Sequence, residues 1–248
     1  MTDSRGPRCC SGPRHPLSEW ADVNLLVDVV NVFVDDDGAF GNPLGIVWSS
    51  PSTRRHEQQI AADLGFSATT FIDAVADRVA TARIFTPTRE LPFAGHPTVG
   101  LAAWLGANDD EVDAIKVPAG HVRVRTDGDM VFVTGLPEWT PAFELNRLTS
   151  PEEVEAVDPD AYGYGLHYVW AWLDEPAGRV RARIFAPEFG IREDEATGSA
   201  AMRLTAEQGR DLDIVQGRGS LLHTHVRYLG RQVEGGGRVS EAGMTELR

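Results

Sequence analysis

Ala82-Arg83-Ile84-Phe85-Thr86-Pro87 returns 100 positions later as Ala182-Arg183-Ile184-Phe185-Ala186-Pro187, and this pair of stretches decides the fold. Shortly beyond the first copy stands Gly95-His96-Pro97-Thr98-Val99-Gly100-Leu101-Ala102-Ala103; shortly beyond the second, Asp194-Glu195-Ala196-Thr197-Gly198-Ser199-Ala200-Ala201. Ile, Val and Phe favour strands, whereas Ala and Leu favour helices. Both copies therefore predict one unit: a strand, a proline stop, a loop, and small residues opening an Ala-rich helix. Two copies at this spacing are too few and too long for a solenoid. They imply two similar halves facing one another.

Outward from the repeat, the pattern is mostly strand. Val27 to Phe33, Gly45 to Trp48, Thr69 to Val75, Ala114 to Val117, His121 to Arg125, Met130 to Thr134 and Leu166 to Leu173 read as strands, with Asp127-Gly128 as a hairpin turn. Hairpins are expected from Gly217 onward. Ser52 or Thr53 is expected to cap a helix over Arg54 to Leu64 that ends at Gly65, and Ser150-Pro151-Glu152-Glu153 opens a short one. Strands outnumber helices, with one good helix per half, so the class is α+β. Asp35-Asp36-Asp37-Gly38 lacks the spaced ligands and closing Glu of a calcium loop and reads as a solvated turn.

Composition limits the function. The chain has 248 residues, 23 Lys+Arg against 37 Asp+Glu for a net charge of −14, and 42% hydrophobic residues. That is enough apolar material for a packed core, and the acidic balance argues against binding nucleic acid, which requires clustered cations. No apolar run is long enough to span a membrane. The two cysteines are adjacent, Cys9-Cys10, so no disulfide framework staples the fold. With no apolar secretory segment at the start, a cytoplasmic protein is expected. Residues 1–24 are expected to be a disordered N-terminal extension. The expected division of the rest is 25–115 for the first half, completed by a C-terminal strand at about 237–248, and 116–236 for the second.

The two helix starts are the places where chemistry can sit. A helix N-terminus exposes unpaired N–H groups and partial positive charge, and is suited to an anion. Pro97 suits the first position of the first helix, and Gly95 leaves room for close backbone approach; the second helix starts near Thr197-Gly198-Ser199. Two such ends brought together would grip one carboxylate, although each alone also reads as an ordinary cap. His96 at one tip and Glu193-Asp194-Glu195 at the other are suited to proton transfer. The helix dipoles would favour an ionised carboxylate and lower the His pKa. His223 and His225 alternate on one strand at metal-ligand spacing, but no third ligand is evident, so no metal is expected. No GxGxxG, P-loop or G-x-S-x-G motif is present, and Lys116, the only lysine, sits in a strand. These absences point to cofactor-independent chemistry.

Phe40-Gly41-Asn42-Pro43-Leu44, Ser67-Ala68-Thr69-Thr70-Phe71, Glu90-Leu91-Pro92-Phe93-Ala94-Gly95-His96-Pro97-Thr98 and Glu193-Asp194-Glu195-Ala196-Thr197-Gly198-Ser199-Ala200, in this order, resemble the signature of the phenazine-biosynthesis PhzF-like isomerase family. The resemblance implies the diaminopimelate epimerase fold: two pseudo-symmetric halves, each a curved sheet around a central helix, with the site between them. It also implies cofactor-free isomerisation by proton transfer on a small carboxylate, and a homodimer. The best-known member of the family acts on a dihydro-hydroxyanthranilate ring with a Glu as acid–base and an Asp, a His and a Ser around the substrate. Matched by motif, these last three are Asp194, His96 and Ser199, with Gly95 and Gly198 against the substrate carboxylate. The Glu position is occupied by Ala68. Four readings of Ala68 stand side by side: an engineered Glu-to-Ala change, transfer of the acid–base role to Asp194 and His96 on another substrate, a non-catalytic carboxylate binder, or kinship in fold alone.

Overall fold

The computed structural model describes residues 25–247. The expectations for residues 1–24 and for Cys9-Cys10 concern sequence outside that range. The first run of elements is β1 (Leu25–Val34), β2 (Phe40–Trp48), α1 (Glu57–Leu64), β3 (Ala68–Ala76), β4 (Val79–Phe85), β5 (Glu90–Leu91), α2 (Gly95–Ala107), β6 (Ala114–Val117), β7 (Gly120–Asp127) and β8 (Met130–Gly135). The second is β9 (Glu144–Arg147), α3 (Pro151–Ala156), β10 (His167–Asp174), β11 (Arg179–Ala186), β12 (Ile191–Asp194), α4 (Gly198–Gln208), β13 (Leu212–Gln216), β14 (Ser220–Arg227) and β15 (Gln232–Leu247).

The two runs pair in the same way. Strand β2 lies parallel to β3, β3 antiparallel to β4, β4 parallel to β6, and β6 antiparallel to β7. In the second run β9, β10, β11, β13 and β14 repeat that sequence of directions. The repeated arginines play the same part in each half. Arg83 forks onto Glu90 at 2.7 and 2.8 Å and lies over Phe85, and Arg183 forks onto Glu193 at 2.7 and 2.8 Å and lies over Phe185. Phe85 and Phe185 each seed a small apolar cluster, one beneath α1 with Ile60 and Phe71, the other beneath α3 with Val154 and Val169.

Strand β15 closes the first half. Its Val233–Arg238 stretch pairs with β8 and its Arg238–Leu247 stretch with β1, so β1-β2-β3-β4-β6-β7-β8-β15 form a continuous ring around α2. Such a helix must be apolar on every side. In α2 (GHPTVGLAAWLGA), Gly95 through Ala102 and Leu105 are all buried. Gly100 lets it approach the sheet, because a Cβ there would lie 2.6 Å from both Leu44 and Val32. Helix α4 packs on β14, β15 and α2, and one core cluster runs from Val30 and Leu44 through Val99 and Leu101 to Met202 and Leu222.

Three expectations shift. A boundary at 115/116 would cut β6, whose partners β4 and β7 both belong to the ring around α2; the chain crosses to the second half after Gly135. Helix α1 starts at Glu57 rather than Arg54, since Arg55 sits at φ 75° and Thr53 Oγ1 accepts from the Ser50 N–H at 2.8 Å, folding this stretch into a turn. Helix α2 starts at Gly95 rather than Pro97; Pro97, which has no N–H, remains within the first turn, where that group has no intrahelical partner.

Candidate active site

The tips of α2 and α4 meet backbone to backbone. A Cβ on Gly95 would stand 2.9 Å from the carbonyl carbon of Gly198, and a Cβ on Gly198 would stand 2.9 Å from the His96 nitrogen. Glycine is required at both positions by this approach alone. Across the junction the Gly95 N–H donates to Ser199 Oγ at 3.1 Å, which ties the first half to the second. The first-turn N–H groups of His96, Gly198 and Ser199 have no partner within their helices. Helix α4 has no side-chain cap, and its Thr197 hydroxyl donates elsewhere, to Asp194 Oδ2 at 2.5 Å.

His96 is buried on α2, and its Nε2 has no hydrogen-bond partner among the described residues. Burial pushes its pKa down to about 3, against a hydrogen bond to the Asn42 backbone that favours the charged form. The other ring nitrogen therefore carries the proton towards Asn42, and Nε2 presents a lone pair. Asp194, at the end of β12, is also buried. Asn42 Nδ2 donates to its Oδ1 at 2.8 Å and Thr197 to its Oδ2, yet burial outweighs these bonds and holds the carboxyl above its ordinary range. The dipole expected to keep it ionised is thus outweighed by desolvation.

Strand alternation separates the three acidic residues at this tip. Glu193 turns to Arg183, and Glu195 accepts from the Arg218 backbone and from Ser220 Oγ, at 2.9 and 3.0 Å. Asp194 alone enters the cleft between the halves. That cleft encloses about 500 Å³, part of it open to solvent, and is lined by Ala68, His96, Asp194, Gly198 and Ser199. Gly95 does not line it; it lies behind, at the α2–α4 junction. Ala68, the first residue of β3, presents a methyl group to the cleft.

Sequence reasoning did not single out the network behind Asp194. Asn42 binds both Asp194 and the Ala196 carbonyl while accepting from Ser67 Oγ at 2.9 Å. Gln216 Nε2 reaches Thr197 Oγ1 at 3.2 Å and takes the Tyr168 hydroxyl on its other end. Asn42 stands inside a quoted motif, but nothing local reveals a partner 152 positions away. His223 and His225 each pair with an aspartate, Asp213 and Asp211. Among the described residues no group of three or more His, Cys, Asp or Glu is placed to hold a metal ion. No helix among them is long and apolar enough to cross a membrane.

Comparison with known proteins agrees with this architecture. Residues 30–156 match the family model described as phenazine biosynthesis-like protein, PhzC-PhzF. The trans-2,3-dihydro-3-hydroxyanthranilate isomerase of Pseudomonas aeruginosa is 32% identical over 216 residues, covering 72% of this chain and 78% of that protein. A solved PhzF family protein from Enterococcus faecalis superposes with a TM-score of 0.70 at 21% identity, over 91% of this chain and 100% of that one. A probable proline racemase from Agrobacterium radiobacter, solved with bound carbonate, shares the fold with a TM-score of 0.61 at 12% identity, over 90% and 93% of the two chains. With its two like halves joined at the tips of their central helices, the chain belongs to the phenazine biosynthesis-like (PhzC-PhzF) family.

Proposed function

We propose that this chain is an isomerase that moves a proton on a small carboxylate, without a cofactor, in the cleft between α2 and α4. One observation carries the reading: a buried His96 with a bare Nε2 and a buried Asp194 held above its ordinary pKa share a cavity with two abutting helix N-termini. The N–H groups of His96, Gly198 and Ser199, with the Ser199 hydroxyl, hold the substrate carboxylate. Gly95 contributes by closeness rather than by contact, since its N–H already fixes Ser199.

The neutral His96 imidazole can accept a proton at its bare Nε2, and the Asp194 carboxyl, whose hold on a proton burial strengthens, can return one, so the two form an acid–base pair. Asn42 and Thr197 orient Asp194 for that step. The methyl group of Ala68 holds no proton, and loss of one positioned acid–base group typically costs roughly 10²–10⁴-fold in rate. That same methyl group supports a second reading, a protein that binds small carboxylates without turning them over.

Deuterium wash-in from D₂O separates the two. An isomerase incorporates deuterium into a bound carboxylate, and both His96→Ala and Asp194→Asn lower the rate at least about 100-fold. Binding without exchange, in this chain and in its Ala68→Glu variant, would leave only the binding reading.

A further inference from the structure

The cleft is unusual in what its walls lack. Among the described residues no Lys or Arg lines it, and the one carboxylate in its lining is Asp194. Both Asp194 oxygens are already engaged, by Asn42 Nδ2 at 2.8 Å and Thr197 Oγ1 at 2.5 Å. Away from the helix tips the surface is built mainly from Leu91, Phe143, Ile184, Ala186, Phe189 and Ile191, drawn from both halves, and the hydroxyls of Ser67 and Thr86 beside them already donate to Asn42 Oδ1 and the Arg89 carbonyl. Ala68 adds a methyl group to that apolar lining.

We propose that this cleft selects a monocarboxylate whose remaining surface is uncharged and apolar, and turns away both α-amino acids and dicarboxylates. This specificity rests on the reading of the helix tips as the carboxylate seat. The seat supplies N–H donors for one anionic group. A second anion would meet hydrocarbon and no cation, within a molecule of net charge −14. An ammonium group would be buried against the same wall without a free counter-ion, and an unpaired buried charge is strongly disfavoured. At position 68 a carboxylate would supply that counter-ion, and Ala68 does not.

Calorimetric titration of the full chain with three matched probes tests this: cyclohexanecarboxylate, 1-aminocyclohexanecarboxylate and trans-cyclohexane-1,2-dicarboxylate. The expected result is that the first binds at least about tenfold more tightly than either of the others. A ratio below tenfold against either one overturns the specificity while leaving the carboxylate seat standing. Binding of none of the three overturns both. In Ala68→Glu the amino acid is expected to gain about tenfold relative to its affinity for the parent chain. If that variant does not fold, the three titrations on the parent chain decide alone.

Discussion

At the scale of the residue, the site depends on two hydrogens where other residues carry a Cβ. A methyl group on Gly198 would lie 2.9 Å from the His96 nitrogen, so Gly198→Ala must push the two helix tips apart. The expected cost is about 1–3 kcal/mol in urea denaturation, together with weaker carboxylate binding. His96 yields a pH signature. The imidazole titrates at 6.5 when unfolded and at about 3 when folded. As pH falls below 6.5 the unfolded chain takes up a proton that the folded chain excludes. Stability present above that pH is therefore lost towards 3, at up to roughly 1.4 kcal/mol per pH unit. Asp194 acts in the opposite sense: with its pKa raised above 3.8, its contribution is complete below that value and declines as pH rises through the folded one. Chemical denaturation across this acid window is expected to show a flatter pH profile for His96→Gln than for the parent chain; an unchanged slope contradicts the burial argument. His96, Gly198 and Ser199 were legible because each sits at a helix start announced by its neighbours, and Asp194 because it stands just ahead of one. The roles of Asn42 and Gln216 were not, because their partners are brought together only by folding.

At the scale of the element, the repeated strands carry unequal duties. Arg183 on β11 forks onto Glu193 and also donates to the Val154, Glu155 and Val157 carbonyls at the end of α3. Removing it leaves several acceptors unpaired, so Arg183→Ala is expected to cost about 2 kcal/mol or more. Arg89, by contrast, bridges the halves, meeting Glu188 at 3.3 Å, but both side chains are substantially exposed. Arg89→Ala is expected to cost less than about 1 kcal/mol. Thermal or urea unfolding of the pair checks the contrast, and equal losses would show that the α3 carbonyls contribute nothing. The strand and helix types along the chain followed from residue chemistry, as did the αL cap of α1 at Gly65. The start of α1 did not, because it turns on a left-handed Arg55 that no local propensity announces. Strands β6 to β8 read locally as a separate hairpin set, and only the return of β15 joins them to the ring around α2.

At the scale of the whole molecule, the 100-residue echo marks a pseudo-symmetric pair whose central helices meet end to end, and this geometry is what both halves exist to hold. The protein as a whole repels anions, with a charge of −14, and among the described residues no Lys or Arg lines the cleft. A carboxylate held by backbone N–H groups must therefore bind against the overall field. Added salt screens that repulsion, so affinity for cyclohexanecarboxylate is expected to hold or rise with ionic strength, whereas an arginine-based site would weaken. The central claim is that the abutting tips of α2 and α4 are the carboxylate seat. Its most direct test is a titration of the ¹⁵N-labelled chain with cyclohexanecarboxylate, following backbone amide shifts. The account predicts that the largest saturable shifts fall on His96, Gly198 and Ser199 and are lost in Gly198→Ala; shifts that bypass these three amides, or persist unchanged in that variant, would contradict it.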